Sequence, residues 1–316
     1  MEKRKLGQSP ITVAPLMFGG NVFGWTLDAA ASFQMLDAFT AAGFDFIDTA
    51  DVYSRFIPGN QGGESEVILG KWMKARGNRD RVILATKAGM DMGEGREGLS
   101  KAYLFKAVED SLRRLQTDYI DLYQAHVDDP KTPLEETLGA FAELIRQGKV
   151  RVIGASNYSA ERLDAALAVS DRLGLPAYQS LQPLYNLIDR TAYEAELQPL
   201  CKAKGLGVIP YFSLASGFLT GKYRSEADFA NSSRGGFVKH HLNDRGLRIL
   251  NALDQVAEGF NATPGMVALA WLMAQPTVTA PIASAASLAQ LDELVRATQL
   301  KLDRQAMEQL DRASAA

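Results

Sequence analysis

Phe44-Asp45-Phe46-Ile47-Asp48-Thr49-Ala50-Asp51-Val52-Tyr53 decides the fold. A short apolar run of strand length breaks off at a small, polar segment, and ionisable groups stand at its C-terminal end. The same design recurs twice. Val82-Ile83-Leu84-Ala85-Thr86 runs into Lys87, and Tyr119-Ile120-Asp121-Leu122-Tyr123-Gln124-Ala125 runs into His126. Three successive buried-strand candidates therefore each deliver an ionisable group at or just past the C-terminal end, which is where a barrel of parallel strands keeps its active site.

Working outward, short apolar runs alternate with amphipathic stretches along the chain. After a hairpin around Leu6 to Val13, strands are predicted near Ala14 to Phe18, Phe46 to Asp48, Val82 to Lys87, Ile120 to Ala125, Val150 to Ser156, Tyr178 to Leu181, Gly207 to Tyr211 and Val278 to Ile282. Helical periodicity fills the intervals, from Ala29 to Ala42 through to Leu288 to Thr298, and two further helices lie outside the repeat at Asp244 to Phe260 and Arg304 to Ala313. Thr132-Pro133 and Thr263-Pro264 place a capping residue before proline, a helix-start signal. Eight strand-helix units predict an α/β fold, a (β/α)8 TIM barrel forming a single domain over residues 1–316. Phe212 to Asn243 is too long for an ordinary connection and carries Gly217, Gly221, Gly235 and Gly236, so it reads as a mobile flap.

The charge pattern excludes several classes of partner. With 34 basic and 37 acidic residues interspersed and a net charge of -3, the chain has no electrostatic footprint for nucleic acid or an anionic membrane. Its one cysteine, Cys201, excludes an internal disulfide and fits a reducing compartment. The charged start of the chain lacks the apolar stretch of a secretory signal, so the expected location is cytoplasmic. A monomer or weak homo-oligomer is expected. His240-His241 has no cysteine or acidic residue at metal-ligand spacing, so no metal site is predicted. Gly217 to Tyr223 imitates a phosphate loop, but it has three residues rather than four between its glycines and Tyr223 in place of Ser or Thr.

The four ionisable groups complement one another. Delivering a proton to a carbonyl oxygen during its reduction requires a donor, and a free tyrosine with a pKa of about 10 is a poor one at neutral pH. A lysine ammonium about 4 Å from the phenol favours the phenolate by on the order of 4 kcal/mol at an effective dielectric of roughly 20. Lys87 is thus expected to lower the pKa of Tyr53, with Asp48 holding Lys87 charged and His126 orienting the carbonyl. Later strands carry Ser156, Asn157, Gln179, Ser213 and Ser284 instead, hydroxyls and amides that match a carboxamide's donors and acceptor. Trp25, Phe56 and Met90 follow the first three strands and are expected, with Tyr53 and His126, to line a substrate pocket.

These motifs resemble the aldo-keto reductase superfamily over nearly the whole chain. Asp48 to Tyr53 looks like that family's Asp/Tyr segment, Thr86-Lys87 like its lysine and Asp121 to His126 like its histidine. The resemblance implies catalysis by Asp48, Tyr53, Lys87 and His126. It also implies a nicotinamide carboxamide held by Ser156, Asn157 and Gln179, with Tyr211 stacked on its ring. The loop over the pyrophosphate would draw on Ser213, Leu214, Ala215, Gly217, Leu219 and Lys222, and the ribose side on Gly20, Asn21 and Val22. In many members a Lys or Arg after the eighth strand grips the adenosine 2'-phosphate; here that segment offers Ser284, Ser287 and Gln290. The cofactor implied is NADP (NADPH), with NAD as the alternative, and the substrate a small-molecule ketone, aldehyde or alcohol. Two other readings stay open: a nucleotide-sensing module like the channel β subunits of the same fold, and a Schiff-base aldolase using Lys87.

Overall fold

The computed structural model describes residues 2–229 and 235–315. The chain opens with an antiparallel hairpin, β1 (Arg4–Lys5) and β2 (Thr12–Val13). Eight parallel strands follow: β3 (Met17–Gly19), β4 (Phe46–Asp48), β5 (Ile83–Ala88), β6 (Ile120–Ala125), β7 (Val150–Ser156), β8 (Ser180–Gln182), β9 (Gly207–Val208) and β10 (Ile282–Ala283). They pair in chain order from β3 to β9, with β10 beside β3. Closure is completed by the segment before β10 and the start of β10 itself: Thr279 N–H donates to Val208 O at 2.8 Å and Ile282 N–H to Pro210 O at 2.9 Å. The expected barrel is the observed one.

The period-2 alternation of the strands divides the apolar residues between two cores. Outward side chains such as Phe18, Ile47, Leu84, Ile153 and Leu181 pack against the helical layer. Inward ones, Met17, Phe46, Ala85, Leu122, Val152, Ile209 and Ala280, form a second cluster with Leu6, Ile11 and Val13 of the hairpin. The hairpin therefore plugs the N-terminal end of the barrel with apolar side chains. Toward the other end the inward positions turn polar: Asp48, Lys87, Gln124, Ser156 and Gln182, all buried. A barrel sealed below leaves its chemistry one face on which to meet a ligand.

Helices α1 (Ala29–Ala41), α2 (Glu64–Arg76), α3 (Lys101–Leu115), α4 (Leu134–Arg146), α5 (Ala160–Leu173) and α6 (Gln198–Lys204) alternate with the strands. The helix predicted from Ala192 to Lys204 is continuous, with a π-helical stretch over Tyr193–Leu197 that runs directly into α6. Beyond the four-residue α7 (Gly235–Val238) come α8 (Asp244–Gly259), α9 (Pro264–Met273), α10 (Leu288–Ala297) and α11 (Arg304–Ser314). Thr263 caps α9 through its side chain, with Pro264 in the first turn as the sequence signal requires. Among the described residues no helix is long and apolar enough to cross a membrane.

The long segment from Phe212 to Asn243 is less irregular than expected, with short helical turns at Ala215–Thr220, Glu226–Phe229 and Lys239–His241. Residues 230–234 of this segment lie outside the described residues.

Candidate active site

The acidic end of β4 and the basic end of β5 meet inside the barrel mouth. Gly19, Asp48 and Ala85 lie in register across β3, β4 and β5, so Lys87 stands one inward position above Ala85 and reaches over Asp48. Its ammonium lies 2.8 Å from Asp48 Oδ1 and 2.9 Å from Oδ2, 2.8 Å from Thr49 O and 2.8 Å from Tyr53 Oη. Three N–H donors are thus spent on Asp48, Thr49 and Tyr53. Both Lys87 and Asp48 are buried, a costly placement that requires this full set of partners.

Tyr53 Oη accepts from Lys87 and donates to Asp48 Oδ2 at 2.8 Å. The ring of His126 stands edge-on to it, centroids 6.1 Å apart. His126 Nδ1 is buried without a partner among the described residues. Burial, reinforced by the charge of Lys87, holds the His126 imidazole well below its ordinary pKa, so it is neutral at physiological pH. Burial also lowers Lys87, against the opposing pull of Asp48.

The expected lowering of the Tyr53 pKa does not occur. Burial pushes the phenol well above 10, and the Asp48 carboxylate adds to the rise. At an effective dielectric of roughly 20, a charge 2.8 Å from the phenolic oxygen acts on a phenolate with about 6 kcal/mol. Lys87 and Asp48 exert this with opposite signs at the same distance, so they nearly cancel and desolvation decides.

Behind the mouth, on the outer side of β5, sits a second ionisable cluster that sequence reasoning missed. Glu66 accepts from Thr86 Oγ1 at 2.6 Å and from Arg114 Nε at 2.6 Å. Asp51 is tied to β5 by its backbone N–H on Lys87 O at 3.1 Å, and its Oδ1 is buried without a partner. Burial, then repulsion from Glu66, pushes the Asp51 carboxyl up to about 8. Asp121 is structural: it accepts from Arg79, Arg151 and Leu84 N–H outside the barrel.

One expected ligand residue is misplaced and another takes its position. Gln179 precedes β8 at the plugged end, where its Oε1 accepts from Gln8 N–H at 3.1 Å. Gln182 ends β8 and points inward, donating to Asp48 Oδ1 at 3.0 Å. The inward positions of β8 are Ser180 and Gln182, in register with Gly154 and Ser156, so Gln179 has the wrong parity as well as the wrong height. Gln182 therefore replaces Gln179 among the candidate residues.

The remaining expected positions line the mouth unevenly. Asn157, with left-handed backbone at φ 56°, donates to His126 O at 2.9 Å and accepts from Tyr211 Oη at 2.9 Å. Ser156 Oγ donates to Gln182 O. Ser284 Oγ lies 2.7 Å from both Gly19 O and Asn21 Oδ1. A Cβ on Gly19 would stand 2.5 Å from Ser284 Oγ and displace that hydroxyl, whereas a Cβ on Gly20 would meet the backbone oxygen of Asp48 at 2.7 Å, so Gly20 is the position that requires glycine. Val22, Ala215 and Leu219 are buried in the hydrophobic core, and Ser213 is buried with its hydroxyl on Pro210 O. These four offer a ligand backbone at most. Leu214 and Gly217 are partly exposed, Lys222 lies against the Tyr223 ring, and Ser287 and Gln290 are exposed at the start of α10. Trp25 and Phe56 touch edge to face, centroids 5.2 Å apart, and Met90 is half-buried after β5. Among the described residues no cluster of metal-ligating side chains exists.

A parallel barrel closed below, with an acid-base cluster at the C-terminal ends of its strands, defines a barrel of the enzyme type. Residues 15–315 match the model of the Aldo/keto reductase family. An uncharacterized oxidoreductase, YrpG, of Bacillus subtilis (strain 168) is 34% identical over 98% of this chain and 95% of its own length. The aldo-keto reductase YhdN of the same organism is 36% identical over 92% of this chain and 85% of its own. A probable voltage-gated potassium channel subunit beta of Oryza sativa subsp. japonica is 33% identical, covering 94% and 91%. The chain belongs to the aldo/keto reductase family.

Proposed function

We propose that this chain is a nicotinamide-dependent oxidoreductase that interconverts a ketone or aldehyde with the corresponding alcohol, with Tyr53 as the general acid in reduction and the base in oxidation. The observation that carries this reading is the placement of Tyr53 Oη, 2.8 Å from both Lys87 Nζ and Asp48 Oδ2 and beside a neutral His126. When bound, the reduced nicotinamide supplies a hydride to the carbonyl carbon. The residues of the chain supply everything around that step. Tyr53 turns its hydrogen from Asp48 to the carbonyl oxygen and releases the proton as negative charge develops there. Lys87 stays in contact with the phenolic oxygen and stabilises the phenolate as it forms, an interaction worth most in the transition state. His126, uncharged, presents an N–H to the same oxygen without competing for its proton.

Several features fit the cofactor. Gly19 and Gly20 keep the floor of the mouth free of side chains, and Gln182 presents its amide there while donating to Asp48. Asn157 and Ser156 supply further amide and hydroxyl groups, and the half-exposed ring of Tyr211 offers a flat face. The neutral start of α10 supports NADPH as the preferred form by only a small margin over NADH. The aldolase alternative fares poorly, because Lys87 is buried with every N–H engaged and has no free amine to attack a carbonyl. The nucleotide-sensing alternative is separated from this reading by turnover. A screen of aldehydes and ketones, followed by loss of NAD(P)H absorbance, tests the reading; an inert protein that still binds NADPH tightly would favour the sensor.

A further inference from the structure

The strand residues beside Asp48 and Lys87 face the other way. Thr49 follows Asp48 and Thr86 precedes Lys87, and since side chains alternate along a strand, both threonines turn outward, toward α2. There they meet two consecutive residues of its first turn. Thr49 Oγ1 donates to Ser65 Oγ at 2.8 Å, which donates in turn to Gly20 O at 2.8 Å, and Thr86 Oγ1 donates to Glu66 Oε1 at 2.6 Å. All four side chains are fully buried.

Helix α2 is a firm support for these bonds. Gly63, its N-cap, and Gly70 lie so close to α3 that a Cβ on Gly63 would stand 2.5 Å from Arg114 Cδ and Nε, and one on Gly70 would stand 2.3 Å from Arg114 O. Arg114 Nε donates to Glu66 Oε2 at 2.6 Å, so the two oxygens of this carboxylate are engaged by two different elements, β5 and α3. A buried ion pair is a weak source of stability compared with packed apolar side chains, whereas its hydrogen bonds are directional and fix one arrangement.

That arrangement bears on Lys87. Of the three groups to which the ammonium donates, Asp48 and Tyr53 offer side-chain atoms, but Thr49 O is backbone. Ser65 holds the hydroxyl of this same Thr49, and Glu66 holds the residue next to Lys87 in the strand. Thr49 N–H on Ala85 O at 2.9 Å and Asp51 N–H on Lys87 O at 3.1 Å tie the two strand ends to each other.

We propose that Ser65 and Glu66 are positioning residues for carbonyl reduction: acting through Thr49 and Thr86, they align the end of β4 with the end of β5 and so set the place of the Lys87 ammonium against the Tyr53 oxygen. This rests on the reading of Tyr53 and Lys87 as the acid-base pair and adds the residues that aim it. The effect falls on the chemical step, because the contact of Lys87 with the phenolic oxygen is worth most in the transition state and a misplacement of about 1 Å can cost about a hundredfold in rate.

Thr86→Val, which keeps the shape of the side chain and removes the hydroxyl, tests the proposal in the full chain. Turnover of a carbonyl taken from the screen is measured per NADPH-binding site, the sites being titrated by quenching of protein fluorescence, so that unfolded protein drops out of the comparison. The expected kcat per site is at least about tenfold below the wild type, with the NADPH Kd and the carbonyl KM within about twofold of it. Thr86→Ser restores the hydroxyl and regains most of the loss. Ser65→Ala, on the other arm, lowers kcat per site in the same way and carries the test alone should Thr86→Val fail to fold. A merely structural role would lower the melting temperature and the number of binding sites while leaving kcat per site unchanged; that result overturns the proposal and leaves carbonyl reduction standing. A rise in KM or Kd with kcat preserved also overturns it, by assigning the two residues to ligand binding. A wild type that turns over no carbonyl refutes the function on which the proposal rests.

Discussion

Lys87 holds its ammonium 2.8 Å from the phenolic oxygen of Tyr53 without lowering the pKa of that phenol. The pair is therefore loaded rather than activated: Tyr53 keeps its proton across the physiological range, and Lys87 is placed to meet the charge that appears once the proton leaves. For a reductase this is a workable ground state, because the acid is present in its protonated form at every relevant pH.

The pH profile follows from the same relationship. Carbonyl reduction is expected to show a nearly constant kcat/KM between about pH 6 and 8, since Tyr53 stays protonated and His126 stays neutral there. Alcohol oxidation, which needs the phenolate, is expected to rise steadily over the same range. Initial rates in both directions check this; a reduction rate that collapses around pH 7 contradicts the protonation states assigned.

Asp51 makes a separate prediction about stability. Its folded pKa of about 8 lies far above the ordinary carboxylate value, so its contribution to stability is greatest in acid and is lost as pH rises through about 8. Glu66 opposes its ionisation, and Arg114 and Lys87 favour it. Asp51→Asn, which cannot ionise, is expected to flatten the curve. Between about pH 5 and 8.5 the wild type should lose several degrees of melting temperature more than the variant, the scale of a few kcal/mol in a domain of this size. Parallel curves would show that Asp51 is ionised in the fold.

The two glutamines near β8 separate the mouth from the plug. Gln182→Ala removes a donor from Asp48 and is expected to lower kcat/KM at least about tenfold more than Gln179→Ala, whose side chain serves Gln8 at the far end. Equal losses would refute the placement of Gln182 in the site.

At the start of α10 the Gln290 amide oxygen accepts from Ala286 N–H at 2.8 Å, and Ser287 Oγ accepts from Gln290 N–H at 3.3 Å. This turn satisfies itself and carries no cation, so NADPH is expected to bind tighter than NADH by no more than about tenfold. Gln290→Arg is expected to tighten NADPH by about 1 to 2 kcal/mol and leave NADH little changed, because a charge-assisted bond is roughly twice as strong as a neutral one. Dissociation constants from quenching of protein fluorescence decide it, and tighter NADH than NADPH would contradict the assignment.

The parts of this molecule legible in the sequence are those written in local pattern. The strands that deliver Asp48, Lys87 and His126 announce themselves because each is a short apolar run with an ionisable residue at or just past its C-terminal end, and three such runs in order suffice to propose a barrel. Tyr53 is legible for the same reason, one short turn past Asp48. Gln179 and Gln182 were not separable: β8 is three residues long, and its inward parity is fixed by pairing with Gly154 and Ser156 of β7 rather than by anything in Tyr178 to Gln182 itself. The approach of Lys87 to Asp48 and Tyr53, and the cluster of Asp51, Glu66 and Arg114, join residues distant in the chain through distances that no spacing encodes.

The central claim is that Tyr53 carries the proton, and Tyr53→Phe tests it most directly. With a carbonyl substrate taken from the screen, the variant should bind NADPH about as tightly as the wild type while its turnover falls at least about a hundredfold, the usual scale for losing an acid-base group. Near-normal turnover in a folded, cofactor-binding Tyr53→Phe protein would contradict the account.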